Sequence, residues 1–98
     1  MQDIVYVVAR LQAWAGKEEA LRKLIDQGID PTRKEKGCLR YSLMQDRQNA
    51  AVLTLLEEWE TEADLNTHLA LPQLQQVFAL LPELLAAPPD IARYKKLA

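Results

Sequence analysis

The sequence predicts an α+β domain in which four antiparallel strands form one sheet and helices cover one of its faces. The first observation is the order of apolar patterns along the 98 residues, which alternate between strand-like runs and helical periodicity as β-α-β-β-α-α-β. This is the order of the ferredoxin-like split β-α-β fold. The second observation is that several strands are apolar on both faces, although the helices can cover only one. We therefore expect a homodimer in which a second copy packs against the open sheet face.

Four stretches are predicted as strands because they are rich in β-branched, aromatic and other apolar residues. They are Ile4 to Gln12, Cys38 to Asp46, Val52 to Trp59, and Ile91 to Leu97. In the second strand, alternation places Leu39, Tyr41, Leu43 and Gln45 on one face and the intervening residues on the other. Residues 46–50 are polar and turn-like, so the second and third strands should form a hairpin with a loop of more than two residues.

The first predicted helix opens at Lys17, and two acidic residues that complement the helix dipole follow at once. Its buried stripe consists of Leu21, Leu24, Ile25 and Ile29. Pro31 disfavours helical geometry at Asp30, so the helix should end or kink there. The alternative is that a helical turn resumes over residues 32–35 before Gly37 stops it.

Two shorter helices are predicted between the third and fourth strands. The first of them begins at Thr61, which with Asp64 resembles a capping box. The second begins at Pro72, a residue well suited to the first helical position, and Pro82 should end or bend it. An extended segment through Pro89 then leads to the last strand.

Length and composition exclude several classes of protein. The chain predicts a single domain, residues 1–98. A net charge of −2 without a basic stripe gives no reason to expect nucleic acid or an anionic membrane as a partner. One cysteine excludes an internal disulfide, and the beginning Met1-Gln2-Asp3-Ile4 lacks the pattern of a signal peptide, so we expect a cytoplasmic location. No glycine-rich phosphate loop occurs and there is a single histidine, so no cofactor and no metal are predicted.

The residues from Glu57 to Leu69 are the best candidates for a functional site, since they contain the only histidine and one of two tryptophans. Glu57 and Trp59 project from the same strand face, and His68 shares a helix face with leucines. If that helix folds back over the strand, His68 lies about 10 Å along it, above residues 55–57. A cluster of Glu57, Trp59 and His68 is therefore predicted. The alternative is that Trp59 is simple core and His68 a buried imidazole bonded to a carbonyl or to Glu57.

A set of marks spread over nearly the whole chain, in this order and spacing, indicates a family. They are Val5 to Leu11, Gly16 to Glu19, Pro31 to Arg33, Glu35, Gly37 to Leu39, Tyr41, Glu57, Trp59, His68 with Leu69, Leu81 with Pro82, and Tyr94. Together they resemble the antibiotic biosynthesis monooxygenase family, whose members are small dimeric α+β barrels. The resemblance implies oxygenation without flavin, metal or haem. A deprotonated phenol, quinol or anthrone gives one electron to O₂ and recombines with superoxide to a hydroperoxide, which loses water to give the quinone.

The resemblance also implies roles for individual residues. His68 would accept or steer a proton, and Glu57 would hold the tautomer of its ring. Trp59 and Phe78 would enclose an aromatic substrate, although Phe78 on a leucine stripe is also typical of core. Tyr41 would donate to a substrate oxygen or, as we favour, complete a hydrogen bond at the end of the barrel.

Two functional hypotheses follow. The first strand lacks the asparagine that the anthrone-type and haem-degrading branches of the family use, which leaves chemistry of the quinol type. The first hypothesis is a cofactor-independent monooxygenase acting on a hydroxylated aromatic. The alternative is a non-catalytic dimeric barrel that binds a small apolar ligand, as a stress-related accessory protein.

Overall fold

Four strands and three helices follow one another in the predicted order in the structure, a computed structural model that describes residues 3–98. The strands are β1 Val5–Gln12, β2 Cys38–Gln45, β3 Val52–Trp59 and β4 Asp90–Tyr94. The helices are α1 Glu18–Arg33, α2 Glu62–Leu69 and α3 Pro72–Leu84. The predicted ferredoxin-like α+β class is confirmed. Met1 and Gln2, on which the expectation of a chain without a signal peptide partly depends, lie outside the described residues.

The strands form one antiparallel sheet in the order β2-β3-β1-β4. Alternate residues of the two central strands point to the helices and are buried: Val5, Val7, Ala9, Leu11, Leu53, Leu55, Glu57 and Trp59. Their neighbours Tyr6, Val8 and Leu56 point to the other face and are only partly buried. We call that second surface the open face of the sheet. The helices therefore cover one face only, as the sequence predicts.

A β-bulge changes which residues of β2 face the helices. Cys38 pairs with Trp59 and Arg40 pairs with Glu58, so Leu39 is an extra residue in the ladder. Leu39 is 52% exposed, and its predicted place on the face of Tyr41 is wrong. The rest of the predicted alternation holds beyond the bulge, and Tyr41 is buried on the helix side.

Of the two effects predicted for each proline, ending the helix or bending it, the first does not occur. α1 continues through Pro31 to Arg33, and α3 continues through Pro82 to Leu84. Each proline lies among the last three residues of its helix, so its missing N–H removes only one backbone hydrogen bond there. β4 is in turn shorter than predicted, since it ends at Tyr94. Within residues 3–98, none of the helices combines the length and hydropathy needed to cross a bilayer.

The loop between α1 and β2 is pressed against the beginning of α2. The Thr61 hydroxyl caps α2 by accepting a hydrogen bond from the Asp64 N–H at 3.0 Å, which confirms the predicted cap. Gly37 has φ +81°, and a Cβ placed there would overlap the Asp64 side chain. The Glu60 N–H also donates to the Gly37 carbonyl at 2.8 Å. This close approach fixes the loop relative to the helix that carries His68.

Candidate active site

A cavity of about 420 Å³ lies between the sheet and the helices. A row of side chains crosses its floor, because Tyr41 pairs with Glu57, Glu57 with Val7 and Val7 with Arg93 in the sheet register. Much of the opposite wall consists of apolar side chains from α1 and α3: Leu24, Ile25, Leu74, Val77, Phe78 and Leu81. The cavity thus combines an apolar lining with a few polar groups, as small-molecule sites usually do.

His68 reaches this cavity from the last turn of α2 and is 3% exposed. Its ring stacks on Trp59 with a centroid distance of 4.8 Å and an angle of 31° between the planes. Tyr41 meets the same ring edge-on, at 5.7 Å and 71°. Two aromatic neighbours from β2 and β3 therefore hold the orientation of the imidazole.

Two carboxylates approach the aromatic cluster, each with a different partner. Glu35, in the loop after α1, lies with Oε1 2.9 Å from His68 Nδ1. Glu57 Oε1 accepts a hydrogen bond from the Trp59 indole at 2.9 Å. The structure therefore brings Glu57, Trp59 and His68 together. The predicted role of Glu57 as the partner of the imidazole is wrong, because Glu35 occupies that position.

The second nitrogen of His68 is left available to the cavity. Within residues 3–98, His68 Nε2 makes no hydrogen bond, and Glu18 Oε1 is the only fully buried side-chain nitrogen or oxygen without a partner. Nε2 therefore retains accessible surface. His68 lines the cavity, whereas Glu35, which contacts the Nδ1 side of the ring, does not.

Burial changes the proton affinity of two cavity groups. Burial raises the pKa of Glu57, and the Trp59 indole and His68 oppose this rise only in part. Burial likewise raises the pKa of the Tyr41 phenol, and the charges of Glu57 and Glu35 add to the effect. Tyr41 therefore stays protonated at neutral pH and can donate a hydrogen bond, while Glu57 holds a proton to higher pH than an exposed carboxyl does.

The raised pKa of Glu57 predicts a pH-dependent stability difference. A carboxyl whose folded pKa exceeds its unfolded value favours the fold at low pH, and that contribution is lost as pH rises from the ordinary value of 4.5 through the folded pKa. Glu57→Gln keeps an oxygen for the indole but carries no charge. We expect its unfolding free energy, relative to wild type, to be higher at pH 8 than at pH 4 in urea titrations. The exposed Glu60→Gln variant is the control, and equal pH profiles for Glu57→Gln and wild type would contradict the assignment.

The predicted aromatic sandwich of Trp59 and Phe78 does not occur. Trp59 is completely buried and does not line the cavity, because His68 lies between the indole and the cavity. Phe78 does line the cavity, while also packing against the core. Tyr41 lines it as well, so of the three predicted substrate contacts the structure places two at the cavity wall.

Sequence reasoning missed the contact of Glu35 with His68. Glu35 is 33 residues from His68 in sequence, so no helical or strand spacing connects the two. The available signal was that Glu35 and Gly37 both belong to the family-like marks. This indicated the loop between α1 and β2, but not its contact with His68. Among residues 3–98 no group of three or more histidine, cysteine or acidic side chains is arranged to hold a metal ion.

Comparison with known proteins identifies the family. Residues 4–80 match the family model of antibiotic biosynthesis monooxygenases. The chain is 34% identical over 88 residues to the "Putative monooxygenase Rv0793" of Mycobacterium tuberculosis, covering 90% of this chain and 86% of that protein. It is also 30% identical over 93 residues to the uncharacterized protein sll1783 of Synechocystis, covering 95% of this chain but spanning only 63% of the relative.

Solved structures agree with this assignment. The structure of Rv0793 superposes with a TM-score of 0.91 at 32% identity, covering 97% of this chain and 96% of that one. A conserved protein from Methanosarcina mazei Go1 also gives 0.91, at 33% identity, with coverages of 98% and 95%. The match to the family model and the similarity of fold extend over most of the chain, and the chain belongs to the antibiotic biosynthesis monooxygenase family.

Proposed function

We propose that this protein is a cofactor-independent monooxygenase that oxidises a hydroxylated aromatic of the quinol or phenol type with O₂. One observation carries the proposal: His68, bonded to Glu35 at Nδ1 and without a hydrogen bond at Nε2, lines an apolar cavity of about 420 Å³. A general base at the wall of an apolar cavity supplies what the proposed reaction needs: a proton acceptor beside the phenol, and a space that limits the access of bulk water. Membership of the family supports the same reaction class.

The proposed reaction needs little from the protein besides a base and an apolar space. His68 Nε2 removes the phenolic proton, and the resulting anion transfers one electron to O₂. The phenoxyl radical and superoxide then combine at a ring carbon that carries hydrogen, and the proton held by His68 returns to the peroxide anion to form a hydroperoxide. Loss of water converts that carbon to a carbonyl, so that substrate and O₂ become quinone and one water molecule.

Two other residues assist the proposed reaction. The protonated Tyr41 phenol donates to the substrate oxygen on which negative charge develops. Glu57, whose pKa is raised by burial, donates a proton to the departing hydroperoxide oxygen and regains one from the ring carbon as the carbonyl forms. The apolar side chains of α3 keep bulk water from the radical pair.

Oxygen consumption tests the proposal directly. Metal-free protein is added in an oxygen electrode to a panel of reduced quinones, phenols and anthrones, and uptake is compared with the autoxidation blank. Saturable uptake above the blank, with one quinone formed per O₂, is the expected result. Saturable binding of the same aromatics without uptake would instead assign the non-catalytic ligand-binding function.

A cavity-filling substitution is expected to separate substrate size from stability. Gly28 lies on the cavity-facing stripe of α1, and a Cβ there would meet nothing within 4 Å. Gly28→Met should stabilise the helix by about 0.5–1 kcal/mol, because glycine is a poor helix former. The side chain should also raise KM for tricyclic anthrones by about tenfold, and less for monocyclic quinols. Gly28→Ala is the matched control for stability, and an unchanged KM in Gly28→Met would place the substrate elsewhere.

We also propose that two copies associate through the open face of the sheet. Met44 and Tyr94 on this face are 46% and 55% exposed in the single chain, and Val8 and Leu56 between them are only partly covered. Leu56→Arg, at the centre of the face, should convert a dimer into a monomer in sedimentation velocity runs. Leu80→Arg makes the same leucine-to-arginine change at an exposed position of α3 and should leave the dimer intact. A monomeric wild type would contradict the proposal.

A further inference from the structure

We propose that Glu35 is a positioning residue, which fixes His68 as the tautomer with its hydrogen on Nδ1 and so keeps the Nε2 lone pair free for the cavity. The catalytic meaning of this inference rests on the proposed function, but the tautomer itself does not. The contact joins Glu35 Oε1 and His68 Nδ1 at 2.9 Å, a distance typical of a charge-assisted hydrogen bond.

The chemistry of the two groups decides where the hydrogen lies. A carboxylate accepts hydrogen bonds and cannot donate them, so a neutral imidazole facing it must carry its hydrogen on the nearer nitrogen. The His68 side chain is 4% exposed and that of Glu35 is 21% exposed, so water competes little for this hydrogen bond. The opposite tautomer would place a lone pair against the carboxylate and is disfavoured.

The surroundings prevent the ring from escaping this arrangement by rotation. A half-turn of the imidazole would exchange Nδ1 with a carbon and set a C–H group against the carboxylate. Trp59 stacks on one face of the ring and Tyr41 packs against its edge, so the ring must push past both neighbours to turn. The flipped ring would regain both aromatic contacts but not the hydrogen bond to Glu35. The aromatic neighbours therefore set the plane of the ring, and Glu35 selects both the edge that faces it and the tautomer.

Glu35 is held in place by backbone contacts on both sides. Its N–H donates to the Thr32 carbonyl at 3.0 Å, and its own carbonyl accepts from the Cys38 N–H at 3.2 Å. Two residues on, Gly37 accepts from the Glu60 N–H and lies against Asp64 of α2. The carboxylate and the imidazole are thus positioned on two segments that are bonded to each other, which is the arrangement that pre-organises a catalytic base.

The single histidine makes the tautomer directly measurable. Long-range ¹H–¹⁵N correlation spectra of ¹⁵N-labelled protein at pH 9, where imidazoles are neutral, distinguish a nitrogen that carries hydrogen from one that does not. In the wild type we expect Nδ1 to carry the hydrogen and Nε2 to show the shift of a free lone pair. Glu35→Ala should lose this pattern and give predominantly the Nε2–H form, whereas Glu60→Ala, at an exposed acidic position nearby, should match the wild type.

The outcomes separate this inference from the proposed function. A wild type with its hydrogen on Nε2, or an unchanged tautomer in a folded Glu35→Ala, overturns the inference whatever the oxygen electrode shows. The wild-type spectrum alone decides the question if the variant does not fold. Where turnover is found, Glu35→Ala should lower kcat by about 10–100-fold, the range known for losing the partner that orients a metal-bound histidine. KM should change less than threefold, because Glu35 lies outside the cavity lining, and a change confined to KM would contradict the role.

Discussion

Replacing His68 with alanine should reduce the turnover of any accepted aromatic substrate by about 10²–10⁴-fold, the usual contribution of a general base. The expected loss lies in kcat, because the apolar walls that bind the ring are unchanged. Initial rates of oxygen uptake at saturating substrate measure it. Since removal of the imidazole opens a space between Trp59 and Tyr41 that is continuous with the cavity, added imidazole should restore part of the rate.

The control for this substitution must separate chemistry from folding. Thr67→Ala changes the neighbouring, exposed position of α2 and should retain full turnover. Circular dichroism and urea unfolding report whether His68→Ala keeps the fold despite its buried cavity. Turnover within threefold of wild type in a folded His68→Ala would exclude the imidazole as the base.

Replacing Gly37 with alanine should lower the free energy of unfolding by about 2–4 kcal/mol, through two separate effects. Its φ of +81° is unfavourable for a residue with a Cβ, and that Cβ would overlap the Asp64 side chain at the beginning of α2. Relief of the overlap must move the loop that carries Glu35 away from α2. We therefore expect the tautomer signal of His68 to weaken in the same variant.

Gly16 provides a matched control for the two effects. It has a φ of +87°, close to that of Gly37, but a Cβ placed there would meet nothing within 4 Å. Gly16→Ala should therefore lose only the backbone contribution, about 1–2 kcal/mol, and leave His68 unaffected. Equal losses in the two variants, measured by urea unfolding, would show that the approach of Gly37 to Asp64 contributes nothing.

The sequence predicted the fold well because the strand and helix patterns are local. The alternation in β3 and the cap at Thr61 depend on residues within a few positions of one another, and both are confirmed. The extra residue Leu39 was not predictable, because a bulge is visible only in the pairing of two strands. Local patterns could not tell whether each proline ends its helix either. Neither does, since burial of an apolar helix face outweighs the loss of one hydrogen bond near its end.

The candidate site likewise has one part that local patterns predict and one part that they do not. The cluster of Glu57, Trp59 and His68 followed from a strand period and a helix rise, and the structure brings those residues together. The carboxylate that contacts the imidazole comes from a loop in the other half of the chain, where no period applies. The position of Trp59 behind the imidazole also depends on how α2 lies over the sheet, which short-range patterns do not determine.

Pro82 has a consequence for access to the cavity. Its ring nitrogen carries no hydrogen, so the carbonyl four residues earlier, at Phe78, has no donor in the regular helical position. The last turn of α3, next to the cavity wall that Phe78 lines, is therefore held by fewer main-chain bonds than an uninterrupted turn. Brief fraying of this turn breaks less structure than displacement of any strand below it. Fraying of this turn would thus widen the cavity beside Phe78 by a small, local fluctuation, without a domain motion.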